Sequence, residues 1–326
     1  MRLFLIKIVR FSRSSFWQDA ATLDDSSTPH VLPGILLFGA VAALICLYDW
    51  CPWTPRVKID LTSFEFGGAM IGLLLVVRTN EGIGRWWEAR KLWGGITNQC
   101  RNLATVAVAY GPPDPAWRRA AVSWTIVYAH VCRRSLRNED ALPEVAALIG
   151  DDQAARVAQA QHMPTYVALV LARILRVAYE RMGMDRLAFL QADQQRTTLI
   201  DHLGGCERIL KTPMPRAYSI QIRQFSFIFL GMLPFGLIGK IGWWLTPLIT
   251  MIVAYPLLSL DKIGAELQKP FSTTSLNHLD LDAITTTIEG NLLGLLRGES
   301  VSMEIDALMI DLDEGLSTSP EGMASA

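Results

Sequence analysis

Charged residues are scarce in this chain. Asp, Glu, Lys and Arg make up 19% of its 326 residues, against the ~25% usual in soluble proteins, while 51% are hydrophobic. The 30 Lys and Arg nearly balance the 31 Asp and Glu, so no basic surplus points to nucleic acid. Cysteines are few and scattered: Cys46, Cys51, Cys100, Cys132 and Cys206 include no C-x-x-C spacing, which excludes a zinc knuckle and a disulfide framework. Cys46 and Cys51 are close in sequence, but the first lies in an apolar segment and both read as packing residues. The histidines His30, His130, His162, His202 and His278 share no metal-ligand spacing, and no G-x-S-x-G, P-loop or dinucleotide fingerprint occurs. His278 with Asp280 and Asp282 is the one tight acid and imidazole grouping, and at a helix start it reads as capping. Neither an enzyme nor a cofactor or metal site is expected.

What the chain does have is uncharged runs. Val31 to Tyr48 carries no charge over 18 residues, close to the minimum for crossing ~30 Å of hydrocarbon at ~1.5 Å per residue. Trp50 and Trp53, with Pro52 and Pro55, follow as an interfacial belt and outer loop. Phe225 to Leu260 contains one charge, Lys240, among Gly239, Gly242, Trp243 and Trp244. That pattern divides the run into two spans joined by a tight outer turn. Between the two regions lies an odder stretch, in which 12 uncharged residues, Phe66 to Val77, run directly into Arg78, Asn80, Glu81, Arg85 and Glu88 to Lys91. This second span is shorter than the ~20 residues a lipid-facing helix needs, and it holds Gly67, Gly68 and Gly72. Small residues suit close helix contact, and short spans are tolerated where protein or water surrounds them. Gly82 and Gly84 are positions where the helix could bend.

No run between residues 95 and 220 is long enough to span. Ala116 to Arg137 and Thr165 to Met182 show apolar residues at helical spacing with arginines on the opposite face. Gly111 to Pro115 and Met163-Pro164 punctuate them. The expected fold is therefore an all-α membrane protein with four transmembrane helices and a cytosolic helical bundle. Its parts are an N-terminal cytosolic or interfacial segment over 1–30, the first two spans over 31–78, a cytosolic region over 79–222, and two further spans over 223–260. C-terminal cytosolic helices over 261–316 and a disordered tail over 317–326 complete it. The N-terminal run Met1 to Arg13 is too short in apolar residues for a signal-peptide core and is expected to be retained. Lys and Arg gather on the side that holds the N-terminus, Arg78 to Lys91, Arg216, Arg223, Lys262 and Lys269, against Arg56, Lys58 and Lys240 on the other. Both termini are thus expected in the cytoplasm and the protein in the cell's inner membrane.

On a helix, residues four apart drift by only ~40° per step, so Glu65, Ala69, Leu73 and Val77 form one stripe of the second span. Spacing alone leaves two readings, a stripe packed against the other spans or a stripe that lines a path. Glu65 likewise either faces that path or pairs with Arg56 or Lys58 in the preceding loop.

Arg78-Thr79-Asn80, Arg85-Trp86-Trp87 and Glu88 to Gly94 resemble the signature of the prokaryotic bestrophins, a family of pentameric ion channels. Glu207-Arg208-Ile209, Thr212-Pro213, Pro215, Tyr218 and Arg223 resemble the same family's lead-in to its third span, in the right order and at the right distance. The resemblance covers roughly residues 10 to 300. It implies a homopentamer around the second span, passing small inorganic ions, with self and membrane lipids as partners. It places a hydrophobic neck on Ala69, Leu73 and Val77, where relatives are often bulkier, and a second, cytosolic constriction at Leu187. Arg78 and Asn80 are implied as structural residues of the motif, and Arg85, Glu88, Arg90 and Lys91 as packing and salt-bridge residues of the subunit interface, with Trp86 and Trp87 holding the helix at the inner surface. A ring of Glu65 carboxylates at the outer mouth would favour cations, whereas eukaryotic members resemble calcium-activated anion channels. The calcium clasp of those members needs acidic residues after a Pro-Phe pair; here Pro270-Phe271 leads into Ser272-Thr273-Thr274-Ser275, which lacks the oxygens calcium needs. Ile83-Gly84 also departs from the Tyr and Asp common in relatives. The competing expectation is a membrane scaffold or assembly protein of the same architecture with a non-conducting pore.

Overall fold

The computed structural model describes residues 26–51, 53, 60 and 62–298, and all described secondary structure is helical. The N-terminal segment before residue 26, Arg56 and Lys58, the part of the expected C-terminal helices from residue 299 and the tail from Ser317 lie outside the described residues. The helices are α1 (Thr28–Trp50), α2 (Thr62–Tyr110), α3 (Pro115–Arg137), α4 (Pro143–Ile149), α5 (Asp151–Ala158), α6 (Met163–Arg181), α7 (Arg186–Lys211), α8 (Arg216–Ile241) and α9 (Thr246–Leu267). A further helix, α10, covers residues 281–298. The chain forms two compact units, one from 1–86 with 213–278 and one from 87–212 with 279–326. Their boundary falls within α2 at Trp86, eight residues past the Arg78 boundary that hydropathy suggests, because the helix continues after its apolar residues end.

In the first unit, α1, α8 and α9 are long and apolar enough to cross a membrane, with mean hydropathies of 2.4, 1.5 and 1.5. The expectation of four such helices is met by three, since the apolar part of α2 falls short. Phe38 of α1, Leu230 of α8 and Ala254 of α9 form one core, with Phe229, Val253, Leu257 and Leu258 against it. Between membrane helices such contacts act through close fit more than through water exclusion. Gly39 allows that fit, since a Cβ there would stand 2.7 Å from Met251. Hydroxyls of this unit bond backward along their own helices: Thr246 donates to the Gly242 carbonyl at 2.9 Å, Thr250 to Thr246 at 2.9 Å and Thr79 to Leu75 at 2.8 Å. The turn between α8 and α9 is made by Gly242 at φ +97°, a backbone angle that side chains disfavour. Trp50 and Trp243 stack at 6.4 Å.

The second unit is a bundle of capped helices around a buried apolar core. Asp114 caps α3 by accepting from the Ala116 and Trp117 amides at 2.8 and 3.4 Å, with Pro115 at the first position. Asn138 closes the helix at φ 57°. His162 caps α6 through Nδ1, and Asp185 caps α7. Val122, Ile126, Leu171, Leu175 and Leu199 fill the core, each contributing ~1.5–3 kcal/mol by burial. The unit closes on α10, where Asp280 accepts from the Ala283 amide at 3.0 Å as the expected cap. Asp282 instead joins Arg133 at 2.9 Å and Arg137 at 2.8 Å. His130, buried on α3, meets Glu289 of α10 at 2.9 Å through Nε2, while its Nδ1 lies 3.9 Å from Glu144. Burial pushes the His130 imidazole below its ordinary value against the pull of both carboxylates. Burial opposes ionisation of Glu144 as well, but Arg134 and Arg133 hold it below the usual carboxylate range. Asp282 is held low against burial by Arg137 and Arg133.

The thiols of Cys46, Cys100, Cys132 and Cys206 are free and buried. In the second unit burial pushes the Cys100 and Cys206 thiols up to about 12 and raises Cys132 as well, so all three stay protonated.

Candidate functional site

The stripe predicted from spacing sits on α2, whose two faces differ sharply. Ile71 is 6% exposed, Leu75 0% and Arg78 1%, and Ile71 and Leu75 pack with Ile222 of α8, beside Tyr218, Leu257 and Leu260. Leu73 is 65% exposed and Val77 43%, and Ala69 is exposed too. Leu73 and Val77 each follow a buried residue by two positions, about 200° around a helix of 3.6 residues per turn. The stripe thus points away from the packing within its own chain. Phe66, Met70 and Val76 flank it on the same uncovered arc.

Polar residues close the arc at both ends. Glu65 lies exposed one turn before Ala69, and Asn80 lies exposed three residues after Val77. The apolar part between Ala69 and Val77 is about 12 Å long at ~1.5 Å per residue. An apolar cleft of about 440 Å³ opens beside it between α2 and α8, lined by Phe64, Gly67, Met70, Phe225 and Phe229 among others. Gly67 and Gly68 face Phe229, which a Cβ would approach to 3.6 and 3.2 Å.

The family-signature residues divide between the two units. In the first, Arg78 pairs with Asp261 of α9, whose other oxygen accepts from Arg223 of α8 at 3.0 Å. Trp86 donates from its indole nitrogen to the Asn277 carbonyl at 2.9 Å, and Asn277 in turn donates to the Glu266 carboxylate at 3.1 Å. Arg85 is half-buried. These contacts tie the turn after Pro270-Phe271 to Trp86 of α2 and to Glu266 of α9, which Lys262 also meets at 3.2 Å.

In the second unit, Trp87 and Arg90 are exposed, whereas Glu88 accepts from Arg208 at 2.6 Å. The two signature blocks, 120 residues apart, meet in that pair. Glu207 beside it bonds His162 at 2.7 Å and Lys211 at 3.2 Å, and these hold its carboxyl low although burial works the other way. Leu187, the expected cytosolic constriction, is 75% exposed on the first turn of α7, with its amide bonded to Asp185 at 2.7 Å. Sequence reasoning missed Asp261, an acceptor to which both blocks contribute an arginine. Its only local signal is that it is the first charge after the long apolar run.

Comparison with known proteins agrees with the signature. The family described as bacterial and fungal bestrophin protein matches residues 7–294. A protein of Mesorhizobium japonicum named as a voltage-dependent anion channel-forming protein is 33% identical over 278 residues, 85% of this chain and 88% of that one. A Nostoc protein of the same description is 34% identical over 264 residues, 78% of this chain and 82% of that one. The crystal structure of a bacterial bestrophin homologue from Klebsiella pneumoniae superposes with a TM-score of 0.75 at 25% identity, covering 81% of this chain and 98% of that one.

Proposed function

Because the chain belongs to the bacterial and fungal bestrophin family, we propose that this non-enzymatic membrane protein is a passive ion channel, built as a ring of five copies around α2. The observation that carries the reading is the orientation of Ala69, Leu73 and Val77, turned away from the chain's own core on a helix whose apolar length is too short for lipid. Meeting copies of itself around water gives such a face a place. Each position then becomes a ring, and three apolar rings form a neck that gates by expelling water, so that a small widening admits ions. Ala69 leaves one end of the neck looser than Leu73 and Val77 do. Leu187 is assigned to a second constriction on the cytosolic side.

In this reading α2 is the fourth crossing helix, the protein resides in the inner membrane and both termini are cytoplasmic. Membrane lipids surround the ring, and the permeant species are small inorganic ions. A ring of Glu65 carboxylates at the outer mouth gives the pore a preference for cations. The second reading, anion passage, is favoured by the names of the relatives, which describe anion channel-forming proteins. Gating is independent of calcium at the turn after Pro270-Phe271, where Ser272 to Ser275 offer no carboxylate.

Purified protein in planar bilayers tests the proposal. Unitary currents whose reversal potential follows the cation gradient support it, and currents that follow the anion gradient select the second reading. Silence in every gradient, or particles that are not five-fold, sinks the channel reading in favour of a scaffold. Addition of calcium is expected to leave the currents unchanged.

A further inference from the structure

We infer that Arg78 is a positioning residue for the neck, and that its pairing with Asp261 sets the rotation of α2 and hence the direction in which Leu73 and Val77 point. The inference rests on the proposed reading of those residues as a gate.

Arg78 directly follows Val77, yet its side chain turns the other way and is buried against α9. Among the described residues its head group pairs with one carboxylate, that of Asp261, and its Nε has no hydrogen-bond partner. Asp261 is itself shielded, with 17% of its side chain exposed, and it is shared with Arg223 of α8. One turn further on, α2 and α9 touch backbone to backbone. A Cβ on Gly82 would stand 3.1 Å from the Gly264 carbonyl oxygen, and one on Gly264 would stand 3.6 Å from the Arg78 side chain. Towards the other end of the span, the same face of α2 packs Ile71 and Leu75 into an apolar cluster with Ile222.

Apolar contacts are non-directional and let a helix turn by part of a residue at little cost. A buried ion pair is directional, and rotation away from it would strand a charge in a poorly solvating interior. Such pairs are weak sources of stability, and their best-attested use is fixing register. Here the register fixed is rotational. Every residue of the neck lies within about three turns of Arg78 on a continuous helix.

The test uses the full-length protein in bilayers, with Asp261→Asn placed in two backgrounds: the native neck and one opened by Leu73→Ala with Val77→Ala. Acting through the neck, Asp261→Asn changes open probability several-fold in the first background and leaves the second unchanged. An equal change in both backgrounds, or none in the native one while the Ala pair does open the channel, overturns the inference. If the Ala pair has no effect on a conducting channel, the gate reading fails first and the positioning role falls with it. Should Asp261→Asn not fold, Gly82→Ala takes its place, pressing a methyl on the same contact with the charges intact. A change confined to the native neck is again expected, and unaltered gating again overturns the inference.

Discussion

Leu73 and Leu75 sit two residues apart on one helix, and one is 65% exposed while the other is wholly buried. Their substitutions should separate accordingly. Leu75→Ala leaves a cavity against Ile222 and is expected to cost ~2–5 kcal/mol, seen as a lower melting temperature of the detergent-solubilised protein. Leu73→Ala is expected to leave that temperature within a degree or so of native, and to prolong openings in single-channel recordings.

Glu65→Gln is the corresponding test of the outer mouth. Removal of the carboxylate is expected to shift the reversal potential in a salt gradient towards that of the anion, with no change in assembly. An unchanged reversal potential would take Glu65 out of the ion path.

The second unit should lose stability in acid, in two stages. His130 has a folded value below its ordinary one because of burial. Its contribution is therefore complete above ~6.5 and is lost as pH falls below that and through the folded value. Glu144, Glu207 and Asp282 are also lowered. Their contributions hold above ~4–4.5 and fall away below it. Thermal melting followed between neutral pH and pH 5 should decline, and His130→Gln, which keeps a hydrogen-bonding group without titrating, should flatten that limb.

Thiol labelling reports topology. Cys51 is exposed after α1, whereas Cys46, Cys100, Cys132 and Cys206 are buried. A membrane-impermeant maleimide applied to intact cells should label Cys51 alone, from outside. Labelling only after permeabilisation would reverse the proposed orientation.

Much of the helical plan was legible because hydropathy and helical spacing are local properties. The α1 run, the division around Lys240 and the stripe on α2 all come from residues within a few turns of one another. Helix ends were less legible. Phe225 marks where the uncharged run begins, yet α8 starts at Arg216, since backbone bonding continues through charges that hydropathy counts as breaks. Gly82 was readable as a bend, but α2 is one helix from Thr62 to Tyr110. That glycine serves the close approach to Gly264, a purpose visible only once the partner helix is known. The role of Asp261 was invisible for the same reason, because Arg78 lies 183 residues away and an ion pair of that separation leaves no period in the sequence.

The threonines of α2 and α9 have a consequence for biogenesis. Thr79, Thr246 and Thr250 each donate a hydrogen bond to a carbonyl one turn earlier. None of these three hydroxyls waits for a neighbouring helix to satisfy it, so they pose no barrier to partitioning from the translocon into hydrocarbon before any partner arrives. Insertion and assembly can then proceed as separate events, with the buried arginine of α2 finding its counter-ion in the second of them.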